Sequence, residues 1–210
     1  MYKTINQNTS AEVVEKKSKF IANLYYVQTT EEAEQIIQNV KKKYYDARHN
    51  CYAYSIKTKE GLINKSSDDG EPSGTAGAPM LNIITKNELF NVLIIVTRYF
   101  GGILLGTGGL VKAYSQATIE VIQKAQFVIE EEGVDLEVIV NYNDFEKLNY
   151  YCTKNSLKII NTEYEEKVKC IIEMNEQEKN EIIKNINELN FIIEEYRVIK
   201  NKKVRKNVDI

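Results

Sequence analysis

The sequence has no tryptophan, only two prolines, three cysteines and one histidine in 210 residues. The single histidine, His49, excludes metal motifs that need two imidazoles and leaves one side chain for imidazole acid–base chemistry. The cysteines, Cys51, Cys152 and Cys170, are odd in number and widely spaced, which argues against a disulfide framework and a zinc site. We therefore expect reduced thiols, no metal and no cofactor.

Long hydrophobic runs and a large excess of one charge are also missing. The longest purely aliphatic run is five residues, Val92 to Val96, which is far too short to span a bilayer, and the N-terminus lacks an apolar targeting segment. Net charge is -2, with 43% hydrophobic and 28% charged residues. These values predict a cytoplasmic globular protein with no membrane partner, in which any nucleic-acid contact must come from local basic patches.

Strand and helix patterns alternate through the first 125 residues. The predicted elements are one or two strands at 12–27, a helix from Thr29 or Thr30 to about 44, a hairpin of 50–57 and 61–67, a short helix near 76–86, a central strand at 92–99 and a helix to about Ala125. The last helix is expected to bury a stripe of Leu110, Tyr114, Ala117, Val121 and Ile122.

From about residue 133 the pattern changes to βαββαβ, which is the split βαβ, ferredoxin-like plan. Its predicted elements are strands at 133–142, 157–164, 167–174 and 191–200, and helices at 143–154 and 175–189. Asn143 with Glu146, and Asn175 with Glu178, predict a capping box at the start of each helix. The acidic run at 130–135 marks the boundary, so we predict an α+β chain with domains at 1–130 and 131–210.

Five of the ten glycines lie in RYFGGILLGTGGLVKAY, residues 98–114, here called the glycine segment. Gly101 and Gly102 follow the predicted strand, and Gly106, Gly108 and Gly109 open the predicted helix. Free amides and the helix dipole favour an anion there, with Thr107 as helix cap or ligand contact and Lys112 as a charged partner. The P-loop and dinucleotide fingerprints do not fit. The alternative is close packing of strand, turn and helix.

Arg98 lies at the end of the central strand, where a buried guanidinium needs a partner. Candidate partners lie in DDGEPSGTA, residues 68–76, here called the acidic loop, and they are Asp68, Asp69 and Glu71, with Ser73 beside them. A structural arginine–carboxylate clamp, a catalytic role and a phosphate-binding role all remain open for Arg98. The acids could bind Mg²⁺, but turn formation is the commoner use of such residues.

Two further features carry weaker signals. His49 begins a strand and has Cys51 two residues later on the same face; a structural hydrogen bond is the commoner role of such a histidine, and a reactive Cys–His pair is the alternative. The basic run at 197–206 suits contact with a phosphate backbone or only solubility, and its candidate contacts are Lys200, Lys202, Lys203, Arg205 and Lys206.

Four motifs in order, EKKSKFIA, ARHNCYAY, SSDDGEPSGTAGAPML and VLIIVTRYFGGILLGTGGLVKAYSQA, resemble the YigZ family, the bacterial branch of the IMPACT family. The resemblance implies an N-terminal domain of the ribosomal protein S5 domain 2-like fold and a C-terminal ferredoxin-like domain, similar to domains IV and V of elongation factor G. It also implies a link to translation, since the eukaryotic members resemble regulators that compete for an activator of a stress-responsive kinase of translation initiation.

Three functions are therefore open. The first is a non-catalytic, translation-associated regulator that binds RNA or the ribosome through the glycine segment and the acidic loop. The second is a phosphate-handling enzyme of small-molecule kinase type, which the S5-like fold also houses, using Lys112, Arg98 and a loop acid with Mg²⁺. The third is a protein-interaction module with a partner in translation control, in which the two loops form a docking surface.

Overall fold

Strands and helices alternate through residues 1–207, which this computed structural model describes, in an α+β arrangement. The chain divides into two units, whose main segments are Tyr2–Ile129 and Glu130–Lys206. Residues 208–210 of the expected second domain lie outside the described residues. Each unit is built around its own antiparallel sheet.

The first unit has a five-stranded sheet in the order β2-β3-β6-β4-β5. Its strands and helices are β1 (Tyr2–Ile5), β2 (Thr9–Glu15), β3 (Ser18–Tyr26), α1 (Thr30–Lys43), β4 (His49–Lys57), β5 (Leu62–Ser67), α2 (Gly77–Lys86), β6 (Val92–Tyr99) and α3 (Gly106–Gln123). The aliphatic run that predicts a central strand is β6, which pairs with both β3 and β4. The prediction is confirmed because a strand covered on both faces must be apolar on both faces.

Helices cover both faces of this sheet. On β4, Tyr52 and Tyr54 lie in the cluster that packs on α1, whereas Cys51 and Ala53 lie in the cluster that packs on α2 and α3. This alternation follows from the two-residue period of a strand. The predicted stripe of α3 is buried in full, at Leu110, Tyr114, Ala117, Val121 and Ile122. The architecture is the ribosomal protein S5 domain 2-like fold that the motifs imply.

The second sheet has the order β1-β7-β9-β8, and β10 also pairs with β7. The elements of the second unit are β7 (Phe127–Val140), which begins in the first unit, α4 (Tyr142–Lys154), β8 (Lys158–Tyr164), β9 (Val168–Asn175), α5 (Glu176–Lys184), a 3₁₀ turn (Ile186–Glu188) and β10 (Glu195–Asn207). In the order of the second unit's own strands this is 4-1-3-2, with both central strands carrying the core residues. The arrangement is ferredoxin-like, as predicted.

Helix ends in the second unit differ in part from the sequence-based expectation. The capping box of Asn175 with Glu178 is present. The box predicted for Asn143 is wrong, because α4 begins at Tyr142 after Asn141 and Asn143 lies inside its first turn. The second helix ends at Lys184 rather than at residue 189, and the last strand begins at Glu195 rather than at residue 191. Phe191 is instead buried in the core without strand pairing.

Candidate functional site

Asp68 organises the acidic loop. One carboxylate oxygen accepts hydrogen bonds from the N–H groups of Ala76 and Gly77, both at 2.9 Å, and the other accepts one from Gly74 at 2.9 Å. Burial alone would raise the pKa of Asp68, but these three N–H donors hold the pKa below its ordinary value. The side chain therefore closes the loop on itself and fixes the start of α2.

Asp69 ties the same loop to α1 and β4. Its carboxylate accepts from the Asn50 N–H at 2.7 Å and from the Lys41 ammonium at 2.5 Å. The carbonyl oxygen of Asp69 lies 2.9 Å from Nδ1 of His49. Because a carbonyl can only accept, Nδ1 must carry the proton in this contact. His49 thus has a structural hydrogen bond to the backbone of the loop.

Arg98 and Glu71 form a buried ion pair. The Arg98 Nη1 group donates to Glu71 Oε1 at 2.7 Å, and the two side chains are 8% and 3% exposed. The hydroxyl of Tyr114 donates to the same oxygen at 2.9 Å. The aromatic rings of Phe20 and Phe100 lie 5.5 and 5.7 Å from the guanidinium carbon. Glu71 is therefore the loop acid that pairs with Arg98, in the arrangement of a structural arginine–carboxylate clamp.

Cys51 is part of this buried cluster and is not an activated nucleophile. Its thiol lies 2.9 Å from the Asp68 carbonyl oxygen and 3.3 Å from the Tyr114 hydroxyl. Burial raises the pKa of Cys51 to about 12, and the nearby carboxylates of Glu71 and Asp69 add to the increase. The thiol is protonated at neutral pH, so the arrangement does not support a reactive pair with His49.

The acidic loop is consequently a structural element. Asp68, Asp69 and Glu71 are used in internal hydrogen bonds and ion pairs, and Ser73, two residues after Glu71, is exposed. Within residues 1–207, no group of three or more His, Cys, Asp and Glu side chains is arranged to hold a metal ion. The same part of the chain contains no helix long and apolar enough to cross a membrane.

The glycine segment lies against the turn between β2 and β3. The N–H of Gly101 donates to Ser18 Oγ at 3.1 Å, and a Cβ atom added to Gly101 would lie 2.0 Å from the backbone carbon of Lys17. Only glycine allows this approach. Gly102 and Gly106 have φ of 82° and 69°, so the intervening residues form a loop that glycine conformations define at both ends.

Helix α3 begins at Gly106 with its N-terminal amides uncapped by a side chain. Leu105 occupies the cap position, and the first turn contains no acidic residue. Of the two roles open for Thr107, the helix cap is wrong, because Thr107 is the second residue of the helix. The ligand contact stays a prediction. Gly108 is exposed and Gly109 is half-buried. Lys112 is exposed, and in the described residues it forms no ion pair. The helix start is thus open to an anion.

Two lysines that the sequence interpretation missed lie beside Gly101 of the glycine segment. Lys16 and Lys17 form the exposed turn between β2 and β3, here called the lysine turn, with φ of 43° and 66°. The Lys17 backbone packs on Gly101. The available signal is two adjacent lysines between two strand patterns, in the motif EKKSKFIA. Cations from two separate elements therefore flank the glycine segment.

The basic run at 197–206 is not a tail. It is most of β10, and its cations form ion pairs within the second unit. Lys202 contacts Asp135 and Glu173 at 2.8 and 2.5 Å, Lys203 and Arg205 contact Glu130 at 3.5 and 2.8 Å, and Lys206 contacts Glu178. Lys200 is exposed. Acidic neighbours offset this charge, so the expectation of a free basic tail is wrong.

Comparison with protein-family models identifies both units. Residues 16–122, more than half of the chain, match the Impact N-terminal domain, and this range includes the acidic loop, Arg98, the glycine segment and the lysine turn. The chain belongs to the IMPACT family. Residues 138–189 match a domain of unknown function (DUF1949).

Individual IMPACT proteins agree with this assignment. The IMPACT family member YigZ of Escherichia coli is 34% identical over 151 residues, which cover 71% of this chain and 74% of the relative. The IMPACT family member YvyE of Bacillus subtilis is 48% identical over 119 residues, so the match spans 57% of this chain and about half, 54%, of that relative. A solved structure titled "Crystal structure of an hypothetical protein" is 28% identical and covers 92% of this chain and 98% of its own, with a TM-score of 0.62.

Proposed function

We propose that this IMPACT-family chain is a translation-associated regulatory protein that binds RNA, free or within the ribosome, through the glycine segment and the lysine turn. Family membership supports the link to translation, since the motifs resemble those of IMPACT regulators. The observation that carries the proposal is the uncapped, acid-free start of α3, with exposed Lys112 on the helix and exposed Lys16 and Lys17 on the adjacent turn. Backbone amides at a helix start and lysine ammonium groups are both suited to phosphate oxygens.

The acidic loop has a supporting role in this proposal. Glu71 holds Arg98 at the end of β6 and Tyr114 on α3, which are the two elements joined by the glycine segment. The loop therefore stabilises the two elements, β6 and α3, that carry the proposed binding surface. The enzyme alternative has less support, because its required acids and Arg98 are already paired with one another and with backbone groups.

Salt-dependent binding tests this function. We expect the chain to co-sediment with ribosomes and to bind a labelled RNA oligonucleotide, with affinity falling as salt rises because phosphate contacts release counterions. Lys112→Ala should weaken binding and lower the salt slope by about one unit. The matched control is Lys124→Ala, an exposed lysine at the opposite end of the same helix, where amides are not free.

The outcomes that contradict the proposal are specific. If binding is absent at low salt, or does not change with salt, the chain does not recognise RNA through its phosphates. Equal loss in the Lys112 and Lys124 variants shows that binding depends on net charge rather than on the helix start. Melting curves of both variants are compared with that of the unmodified chain, and unchanged melting temperatures show that the fold is retained.

A further inference from the structure

The loop within the glycine segment exposes several large apolar side chains. Leu104 is 84% exposed, and Phe100 and Ile103 are 45% and 41% exposed. Val111, on the first turns of α3, is also exposed. Several large apolar side chains in one short exposed segment are unusual for a surface without a partner, because water contact with apolar area is unfavourable. This segment therefore has the character of a contact surface.

The orientation of Phe100 is set before any partner arrives. Its ring centroid lies 5.7 Å from the guanidinium carbon of Arg98, and Arg98 is itself fixed by the buried ion pair with Glu71. Gly101, which follows directly, is held against the lysine turn. A partly exposed aromatic ring with a fixed support loses little conformational freedom on binding.

The charges around this apolar surface define the chemistry of its partner. No Asp or Glu occurs between Glu88 and Glu120, and Lys112 within this range is exposed. The exposed turn of Lys16 and Lys17 packs on Gly101 through the Lys17 backbone. A partner must therefore combine negative charge with flat apolar faces. Unpaired RNA nucleotides do so, because the bases can stack on side chains while the phosphates meet amides and lysines. In duplex RNA the base faces are already stacked inside the helix and are not available.

We infer that the glycine segment recognises single-stranded RNA, with a base stacked on Phe100 and packed on Leu104 while the adjacent phosphates lie at the start of α3. This inference rests on the proposed function and narrows it from RNA in general to unpaired nucleotides. Phe100 and Leu104 select unpaired over paired RNA, and the lysines and amides supply the affinity that both forms share.

Fluorescence anisotropy with the full chain tests the inference, using a 12-nucleotide oligouridine and a 12-base-pair RNA duplex as probes. We expect tighter binding of the single strand at equal salt. Phe100→Ala should weaken single-strand binding about tenfold and leave duplex binding unchanged, since one base stack is lost. Phe100→Tyr should retain the preference. The matched control is Tyr150→Ala, an exposed aromatic residue on α4 of the second unit.

Leu104→Ser provides a second variant whose folding is not in question, because this side chain is 84% exposed. It should also reduce the preference for the single strand. Equal affinity for the two probes, with no effect of either substitution, overturns the inference and leaves the proposed function standing. Absence of binding to both probes defeats both.

Two further results would assign the surface to a different partner and overturn the inference. One is loss of ribosome co-sedimentation in the Phe100 and Leu104 variants with oligouridine binding unchanged, which indicates a ribosomal protein as the partner. The other is binding to phosphatidylglycerol vesicles that Leu104→Ser abolishes while RNA binding remains unchanged.

Discussion

Replacement of Arg98 by methionine separates a structural role of this residue from a ligand-binding role. Methionine keeps most of the aliphatic volume of the arginine stem but removes the charge and the donor to Glu71. The Glu71 side chain is only 3% exposed, so its carboxylate would stay buried with the Tyr114 hydroxyl as its hydrogen-bond donor and His49 Nε2 4.0 Å away. Removing one partner of a buried ion pair costs about 3–5 kcal/mol, because the other charge remains desolvated.

This loss is large beside the 5–15 kcal/mol or so by which a typical domain is stable. We expect Arg98→Met to lower the free energy of unfolding by about 3–5 kcal/mol in urea titrations followed by tyrosine fluorescence, since the chain has 14 tyrosines and no tryptophan. Hydrogen exchange should locate the loss in the first unit. The control Arg48→Met removes an exposed arginine and should change stability by less than about 0.5 kcal/mol.

A double-mutant cycle makes the test stricter. Glu71→Gln combined with Arg98→Met should cost clearly less than the sum of the two single substitutions, because the double variant buries no unpaired charge. A cost below about 1 kcal/mol for Arg98→Met, or additive single effects, would refute the clamp. Arg98 would then be free to serve a ligand.

Two further predictions concern the glycine segment and the acidic loop. Gly101→Ala should lower the melting temperature strongly, because its Cβ would lie 2.0 Å from the Lys17 backbone. The control Gly108→Ala should be tolerated, because a Cβ at this position meets open space. Similar melting curves for the two variants would contradict this packing. Asp68→Asn should cost about 2 kcal/mol near pH 7 and less toward pH 2, because hydrogen bonds to a charged acceptor are lost. The folded-state pKa of Asp68 lies below its ordinary value of 3.8. The carboxylate therefore stabilises the fold above that pH, and this effect is lost as pH falls through the folded-state pKa. If urea titrations show that the stability loss of Asp68→Asn does not change with pH, the charged hydrogen bonds are not its cause.

Elements with a strong period could be predicted from the sequence because their signal is local. The apolar run of β6 and the buried stripe of α3 follow directly from strand and helix geometry. The capping box at Asn175 is also local, since its two residues are three positions apart. The error at Asn143 arose because Asn141, two residues earlier, can occupy the same cap position, and sequence spacing alone does not decide between them.

Features that depend on contacts between residues far apart in the sequence could not be predicted from local sequence patterns. The contact of Gly101 with Ser18 joins residues 83 positions apart, and it is this contact that brings the lysine turn to the glycine segment. For the basic run of β10, the sequence predicted a free basic tail, which the fold does not have. Arg205 pairs with Glu130, 75 residues away, so a segment that is basic in sequence is balanced by acids in the fold.

The acidic loop and the glycine segment have different roles in the N-terminal unit. The acidic loop faces inward, where Glu71 neutralises Arg98 and joins the end of β6 to α3. The glycine segment between those two elements faces outward, with free amides, lysines and exposed apolar side chains. The glycine segment has five glycines in 17 residues and would lose much of its order without such support, because glycine restricts the chain least. Under the proposed function, in which the RNA contacts lie on the glycine segment and not on Arg98, loss of the clamp should weaken RNA binding. This loss should follow the disorder of the segment rather than the change in charge.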